Sequence, residues 1–207
     1  MRDYLFINKY LDELTQDVYE QPDDIGHSSM AKDIIFKWVS DRTDISTVVD
    51  MGCGTGFCCQ FFSQLGKQYL GVDVGMSSIQ PPIVQRDFTF SGFPESSFDL
   101  VFSRHSLEHS PFPLLTLMEW HRISKKYLLV VLPNPGYYTY VGRNHYSVLN
   151  IRQVKWLLRR SGWFIEQRDY SEHTEIRYFC VKRPRLGFEG YLETLDGTTL
   201  KDGQNNE

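Results

Sequence analysis

The segment 46–57, STVVDMGCGTGF, constrains the fold more than any other part of the chain. Its first half is a β-branched apolar run that ends at an acid. Its second half is a series of glycines opening the helix-forming stretch GTGFCCQFFSQLG, which Gly66 closes. Glycines at such a junction let the backbone turn tightly and approach a ligand closely, and the helix that follows starts with free N–H groups. The alternation continues. QYLGVDV, PPIVQRDF, SFDLVFSR and KKYLLVVLPNP are further apolar runs, with a helix expected near 107–123. NIRQVKWLLRRSG is a helix with Asn150 and Gln153 as a capping box and Gly162 as its stop. WFIEQRDY and EIRYFCVKR close the series as two strands. Strands alternating with helices imply an α/β fold with a mostly parallel sheet, here of seven strands, flanked by helices and ending in an antiparallel hairpin.

The 207 residues suit one such domain with short appendages. DYLFINKYLDELTQDVYE and SSMAKDIIFKWVSDR are amphipathic, so residues 1–45 are expected to form a helical lid or cap, or to pack on the sheet edge. Residues 46–183 form the main domain. From 184 the chain is polar and Gly-rich, a tail held by Phe188 and Tyr191 at most. The net charge is −4 and unevenly spread: residues 1–46 carry ten acids against five bases, while 47–183 carry fifteen bases against eleven acids. That middle is only weakly basic and shows no strong nucleic-acid footprint. Cys53, Cys58, Cys59 and Cys180 contain no C-x-x-C pair, which argues against a zinc ribbon and for reduced thiols. No signal-peptide pattern and no membrane-length apolar run occur, so a cytoplasmic location away from membranes is expected.

Asp50, Gly52, Gly54 and Gly56 form D-x-G-x-G-x-G. A dinucleotide fingerprint would need its third glycine at position 57, which is Phe57. The acid at the strand end suits a cationic ammonium group better than a pyrophosphate. The next strand ends at Asp73, where an acid can take both hydroxyls of a ribose, and the third ends at Asp87-Phe88, suited to an adenine amino group and ring. This series, together with FDLVFSRHSLEH and LLRRSGWFIE, resembles the class I S-adenosylmethionine-dependent methyltransferases, from about residue 46 to 183. The resemblance implies a Rossmann-like fold. It implies that Asp50 and the three glycines hold the methionine part of the cofactor, Asp73 the ribose, and Asp87 the adenine. Val74 and Phe88 would lie beside the adenine, with Ser103 also in the cofactor site.

His105 to His109 reads H-x-x-E-H, a zinc-hydrolase spacing. That chemistry needs both histidines on one helical face. Here the match begins at a strand end, so His105 is expected in the turn before the helix. The segment instead resembles a methyltransferase subset with E-x-x-E-H, the ubiquinone-pathway O-methyltransferases and small-RNA 3′-terminal 2′-O-methyltransferases. In that subset two acids and a histidine bind a divalent cation, and the small-RNA enzymes add a histidine after a PN turn. Pro133-Asn134 and His145 follow that order here, so the resemblance implies Glu108, His109 and His145 as metal ligands. His105 stands where the subset has an acid, and one charge fewer favours Zn²⁺, Mn²⁺ or Fe²⁺ over Mg²⁺. Without a metal, His105, His109 and His145 are candidates for the general base that deprotonates the acceptor.

The Tyr- and Gly-rich NPGYYTYVGRNHY lies between the fifth strand and the last helix, over the strand ends where this fold binds ligands. Arg104 and Arg143 are candidates for a carboxylate or phosphate, with a surface ion pair as the plainer role. Three functions are consistent with these residues. The first is O-methylation of a small molecule with a pocket histidine as base. The second is metal-dependent 2′-O-methylation of RNA, with Arg152, Lys155, Arg159 and Arg160 as basic contacts. The third is a non-catalytic S-adenosylmethionine-binding subunit.

Overall fold

The computed structural model describes residues 13, 16, 32–74, 82–136, 144–170 and 173–184. The helix expected over DYLFINKYLDELTQDVYE, apart from residues 13 and 16, and the expectations for Arg143, Phe188 and Tyr191 lie outside the described residues. Within them the elements run α1 (Lys32–Ser40), β1 (Thr47–Met51), α2 (Cys59–Gln64), β2 (Gln68–Asp73), β3 (Ile83–Gln85) and β4 (Phe98–Arg104). A 3₁₀ turn (Leu107–His109), α3 (Pro113–Ile123), β5 (Ser124–Pro133), α4 (Ile151–Arg160), β6 (Trp163–Asp169) and β7 (Glu175–Lys182) follow.

The seven strands form one sheet in the order β3-β2-β1-β4-β5-β7-β6. The first five strands pair in parallel. β7 is antiparallel to both β5 and β6, as expected for a terminal hairpin. The chain moves outward from β1 to β3, then returns to lay β4 on the other side of β1. That reversal creates the crevice at the carboxyl ends of β1 and β4 where open α/β sheets bind ligands. The glycine loop leaves β1 and His105 leaves β4, so both reach this crevice.

The central parallel strands β1, β4 and β5 carry buried apolar stretches because helices cover both faces. Alternate side chains go to opposite layers. Val49, Val101, Leu128 and Val130 meet Leu117 and Trp120 of α3 and Val154 and Leu158 of α4. Val48, Leu100, Phe102, Leu129 and Val131 meet Ile35, Trp38 and Val39 of α1 and Phe62 of α2. The Trp38 ring lies 5.2 Å from Phe179 and 5.5 Å from Tyr127, so α1 is built onto the sheet.

The helix expected near 107–123 is interrupted. A single 3₁₀ turn gives way to Ser110-Pro111-Phe112 before α3 begins at Pro113. Each proline disfavours helical geometry in the residue before it, and Pro113 fits only because it is the first helical residue. The break leaves 107–109 as a separate turn, with Leu107 in the core and Glu108 beside His109 and His145. The capping box of α4 is present in full: Gln153 N–H donates to Asn150 Oδ1 at 3.0 Å, and Asn150 N–H to Gln153 Oε1 at 2.9 Å. All four cysteines are free, and Cys53 and Cys180 are buried.

Candidate functional site

The glycine loop is fixed by backbone hydrogen bonds, by the Ser106 hydroxyl and by the Asp73 carboxylate. Gly52 and Cys53 N–H groups both donate to the Val72 carbonyl, at 2.8 and 3.1 Å. Gly52 has φ +77°, and a Cβ there would come within 2.5 Å of Ser106 Cβ and closer still to its Oγ. The Ser106 hydroxyl lies 3.0 Å from both the Gly52 and Arg104 carbonyls, tying the loop after β1 to the turn after β4. At Gly56 the φ of +79° favours glycine, and an added Cβ would lie 2.6 Å from Ile83 Cδ1, so the tip of that side chain would have to shift. Gly54 N–H donates to Asp73 Oδ2 at 2.8 Å, bringing the second acid of the series against the loop.

Asp50 is 2% exposed at the end of β1. Tyr69 Oη–H donates to its Oδ2 at 2.8 Å. Burial raises the Asp50 carboxyl to about 7, and the nearby Asp73 adds to the rise against the lowering effect of the Tyr69 hydrogen bond. A carboxyl in that state gains most when a cationic group approaches it. Asp87 Oδ1 accepts from the N–H groups of Thr89 and Phe90, which fixes the turn that carries Phe88. The Phe88 ring stands edge-on to Trp120 at 6.2 Å, and Trp120 Nε1–H donates to its carbonyl at 3.0 Å. Val74 holds this side together by accepting from Gln85 Nε2 at 3.0 Å. Ser103 is fully buried, and its hydroxyl donates to the Met51 carbonyl at 2.9 Å, joining β4 to β1.

Beyond β4 the H-x-x-E-H letters separate into two groups. His105 occupies a turn at φ +51°, outside any helix, so the zinc-hydrolase geometry is absent. Glu108, His109 and His145 come together, with one donor atom from each all within 4.8 Å of one another. Glu108 is 2% exposed, and neither carboxylate oxygen has a hydrogen-bond partner. Burial raises its carboxyl to about 8. His109 Nδ1 lies 3.1 Å from the Asn144 carbonyl and donates to it, which leaves the Nε2 lone pair as acceptor. Burial, then the neighbouring His145, lowers His109 to about 4 against the opposing Asn144 bond. His145 stands 4.6 Å from His109, ring edge to ring face, and its buried Nδ1 has no hydrogen-bond partner. A neutral imidazole pair beside an unsatisfied carboxyl is a donor set that fits a divalent ion or a labile proton. Leu132, Val148 and Leu149 line the apolar cleft that adjoins Glu108.

Sequence reasoning missed Glu175, Tyr69, Ser106 and Asn144. Glu175 arrives from β7, fully buried, with Arg104, His105 and Arg177 around it. Its signal was an acid and an arginine at alternate positions, 175 and 177, in an otherwise apolar strand: one face of that strand had to be polar. Arg104 is committed to this buried pair. His121 packs at 5.3 Å from Trp163, and its Nε2 donates to the Arg183 carbonyl at 2.7 Å.

Residues 49–130 match a family model described as a methyltransferase domain. The ubiquinone biosynthesis O-methyltransferase of Pseudomonas paraeruginosa (strain DSM 24068 / PA7) is 26% identical over 122 residues, covering 50% of this chain and 53% of that protein. The malonyl-[acyl-carrier protein] O-methyltransferase of Hamiltonella defensa subsp. Acyrthosiphon pisum (strain 5AT) is 26% identical over 108 residues, 47% of this chain and 42% of that one. The chain thus spans about half the length of the curated relatives it matches. Among solved structures, the Burkholderia thailandensis 1,6-didemethyltoxoflavin-N1-methyltransferase, with bound 1,6-didemethyltoxoflavin and S-adenosylhomocysteine, shares the fold. Its TM-score is 0.68 at 14% identity, covering 85% of this chain and 90% of that one.

Proposed function

We propose that this chain, a member of the class I S-adenosylmethionine-dependent methyltransferases, transfers the sulfonium methyl group of that cofactor to a hydroxyl oxygen of a small-molecule acceptor. The observation that carries this reading is the carboxyl of Glu108, buried and without a hydrogen-bond partner beside His109 and His145 at the crevice of β1 and β4. A polar group left unsatisfied in burial is costly, and its retention at a ligand crevice points to a partner that arrives with the reaction. Two curated relatives named as O-methyltransferases support the oxygen acceptor.

In this reading Asp50 faces the cofactor's ammonium group, and the backbone of Gly52, Gly54 and Gly56 lies against its methionine part. Asp73 takes the ribose hydroxyls, and Asp87, Val74 and Phe88 border the adenine, with Ser103 bracing the strand behind them. Methyl transfer then needs the acceptor oxygen held in line with the methyl carbon and relieved of its proton. His105, His109 and His145 are the bases within this crevice, and His109 has the neutral form required. The Glu108, His109 and His145 donors fit a divalent ion. Such an ion would supply Lewis acidity that lowers the acceptor hydroxyl's pKa. A second reading, metal-dependent 2′-O-methylation of RNA ribose, draws on the same three donors, with the exposed Arg152, Lys155 and Arg159 of α4 as phosphate contacts.

The test uses methyl-labelled S-adenosylmethionine with a panel of phenols, carboxylic acids and short RNAs, in chelator and in added Mn²⁺ or Zn²⁺. Label on an oxygen, lost in His145→Ala and Glu108→Gln, supports the proposal. Cofactor binding with no transfer to any acceptor favours the non-catalytic subunit, and transfer unchanged by both substitutions overturns the site.

A further inference from the structure

The face of the sheet under α1 changes character toward the crevice. Val48, Leu100, Phe102, Leu129 and Val131 fill it with apolar side chains. Asp50, Arg104, Arg177 and Glu175 end it with charged ones. Strand register puts them on one face: Asp50 pairs with Phe102, Arg104 with Val131, and Val131 with Arg177. Side chains two apart on a strand share a face. Arg104 therefore stands on the face of Asp50, one step nearer the carboxyl ends of the strands. The Ser106 hydroxyl, 3.0 Å from both the Gly52 and Arg104 carbonyls, holds this residue against the glycine loop. Burial raises the Asp50 carboxyl to about 7, and the charge of Arg104 works against that rise, so the guanidinium lies within electrostatic reach of it.

The pair with Glu175 uses little of Arg104. The arginine side chain is 13% exposed, and its Nε is buried without a hydrogen-bond partner. Nη2 donates to Glu175 Oε2 at 3.3 Å, longer than the about 2.7–2.9 Å usual between charged groups. Glu175 has no fork to offer: its Oε1 accepts from Arg177 at 2.6 Å, and its Oε2 lies 2.9 Å from His105 Nε2. Glu175 thus anchors the guanidinium and leaves most of its donors unmatched. Unmatched donors are costly in burial, and a guanidinium that keeps them at a ligand crevice fits a second, planar carboxylate.

We infer that Arg104 is the receptor for the carboxylate of the cofactor's methionine end, so that Asp50 and Arg104 read its ammonium and carboxylate groups as a pair. The inference rests on the cofactor reading of Asp50 and the glycine loop. The methionine end carries both charges on one carbon. An acid alone would attract the ammonium and repel the neighbouring carboxylate, whereas an acid and a guanidinium on one face answer both. An acceptor carboxylate is the other source of this chemistry. The tie of Arg104 to Gly52 and its reach to Asp50 favour the cofactor.

The experiment is titration calorimetry on the full chain, without acceptor, using S-adenosylhomocysteine and its decarboxylated analogue, which keeps the ammonium and lacks the carboxylate. Wild type should bind S-adenosylhomocysteine about 10-fold or more tightly than the analogue. Arg104→Gln should lose about that factor for S-adenosylhomocysteine and bind the analogue as wild type does, so that the preference disappears. A merely structural arginine would weaken both ligands together, and that result overturns the inference. Wild type without a preference overturns it too, as does an Arg104→Gln variant that keeps the preference. Arg104→Lys retains the charge beside Glu175 and carries the same test where the glutamine variant does not fold: its loss must again fall on S-adenosylhomocysteine alone. A wild type that binds neither ligand removes the cofactor reading and the inference with it, a pattern distinct from binding both without discrimination.

Discussion

Replacing Gly52 by alanine tests the geometry of the loop most sharply. Two costs add. Alanine at φ +77° leaves the region L-residues prefer, at about 1–2 kcal/mol. The new Cβ also meets Ser106, whose own Cβ is 2.5 Å away, so rotating the hydroxyl aside does not relieve it and the backbone must move. Overpacking of a buried contact costs about 1–3 kcal/mol. The Ser106 hydroxyl bonds to the Gly52 and Arg104 carbonyls, worth about 0.5–1.5 kcal/mol each, are then at risk. The expected loss is about 3–5 kcal/mol, large against a typical domain stability of about 5–15 kcal/mol. Gly54 is the internal control: its φ is +53°, but nothing lies within 4 Å of an added Cβ. Gly54→Ala should therefore cost only about 1–2 kcal/mol. Equilibrium urea unfolding with an unchanged m-value gives both numbers. Ser106→Gly in the Gly52→Ala background should recover part of the loss, a coupling expected only between touching residues. Equal costs at Gly52 and Gly54, or no recovery in the double variant, would refute the reasoning.

Glu108 predicts a pH dependence. Its folded carboxyl is raised to about 8, so the folded chain keeps a proton that the unfolded chain has lost. Stability from this group therefore falls as pH rises from about 4.5 to about 8 and is level above that. With chelator present, Glu108→Gln should remove this slope and gain on the order of 2–4 kcal/mol over wild type between pH 5 and pH 8.5, read from urea midpoints; parallel pH curves would contradict it. Asn150→Ala removes the side-chain half of the capping box and should cost about 1 kcal/mol by thermal or urea unfolding, with S-adenosylhomocysteine affinity unchanged.

The fold was legible because the signals behind it are local. Each parallel strand contains an apolar run; β1 ends just before Gly52 and β2 ends at Asp73, and these two residues mark where the chain turns into the crevice. The cap at Asn150 and the stops at Gly66 and Gly162 are single-residue signals that hold in any context, and both glycines have positive φ. The helix boundary at 107–113 was misjudged because apolar periodicity carries across Pro111 and Pro113, whereas proline geometry decides where the helix starts. The site was half legible. Glu108, His109 and His145 lie within 38 positions of one another, and a known order of motifs names them. Glu175 lies 70 residues from His105, and only the antiparallel pairing of β7 with β5 brings the two together. Tyr69 reaches Asp50 through strand register in the same way. A sequence read along the chain has no local signal for such cross-strand partners beyond an out-of-place polar residue in an apolar run.

The central claim is that the crevice between β1 and β4 holds S-adenosylmethionine, and titration calorimetry with S-adenosylhomocysteine tests it most directly, in wild type and in Asp73→Ala. Asp73 meets the glycine loop through Gly54 N–H at 2.8 Å and, in this account, holds the ribose through charged hydrogen bonds. The account predicts micromolar binding to the wild type and a loss of about 30-fold or more in Asp73→Ala. Folded wild-type protein that takes up no S-adenosylhomocysteine, or an Asp73→Ala variant that binds it equally well, would contradict the account.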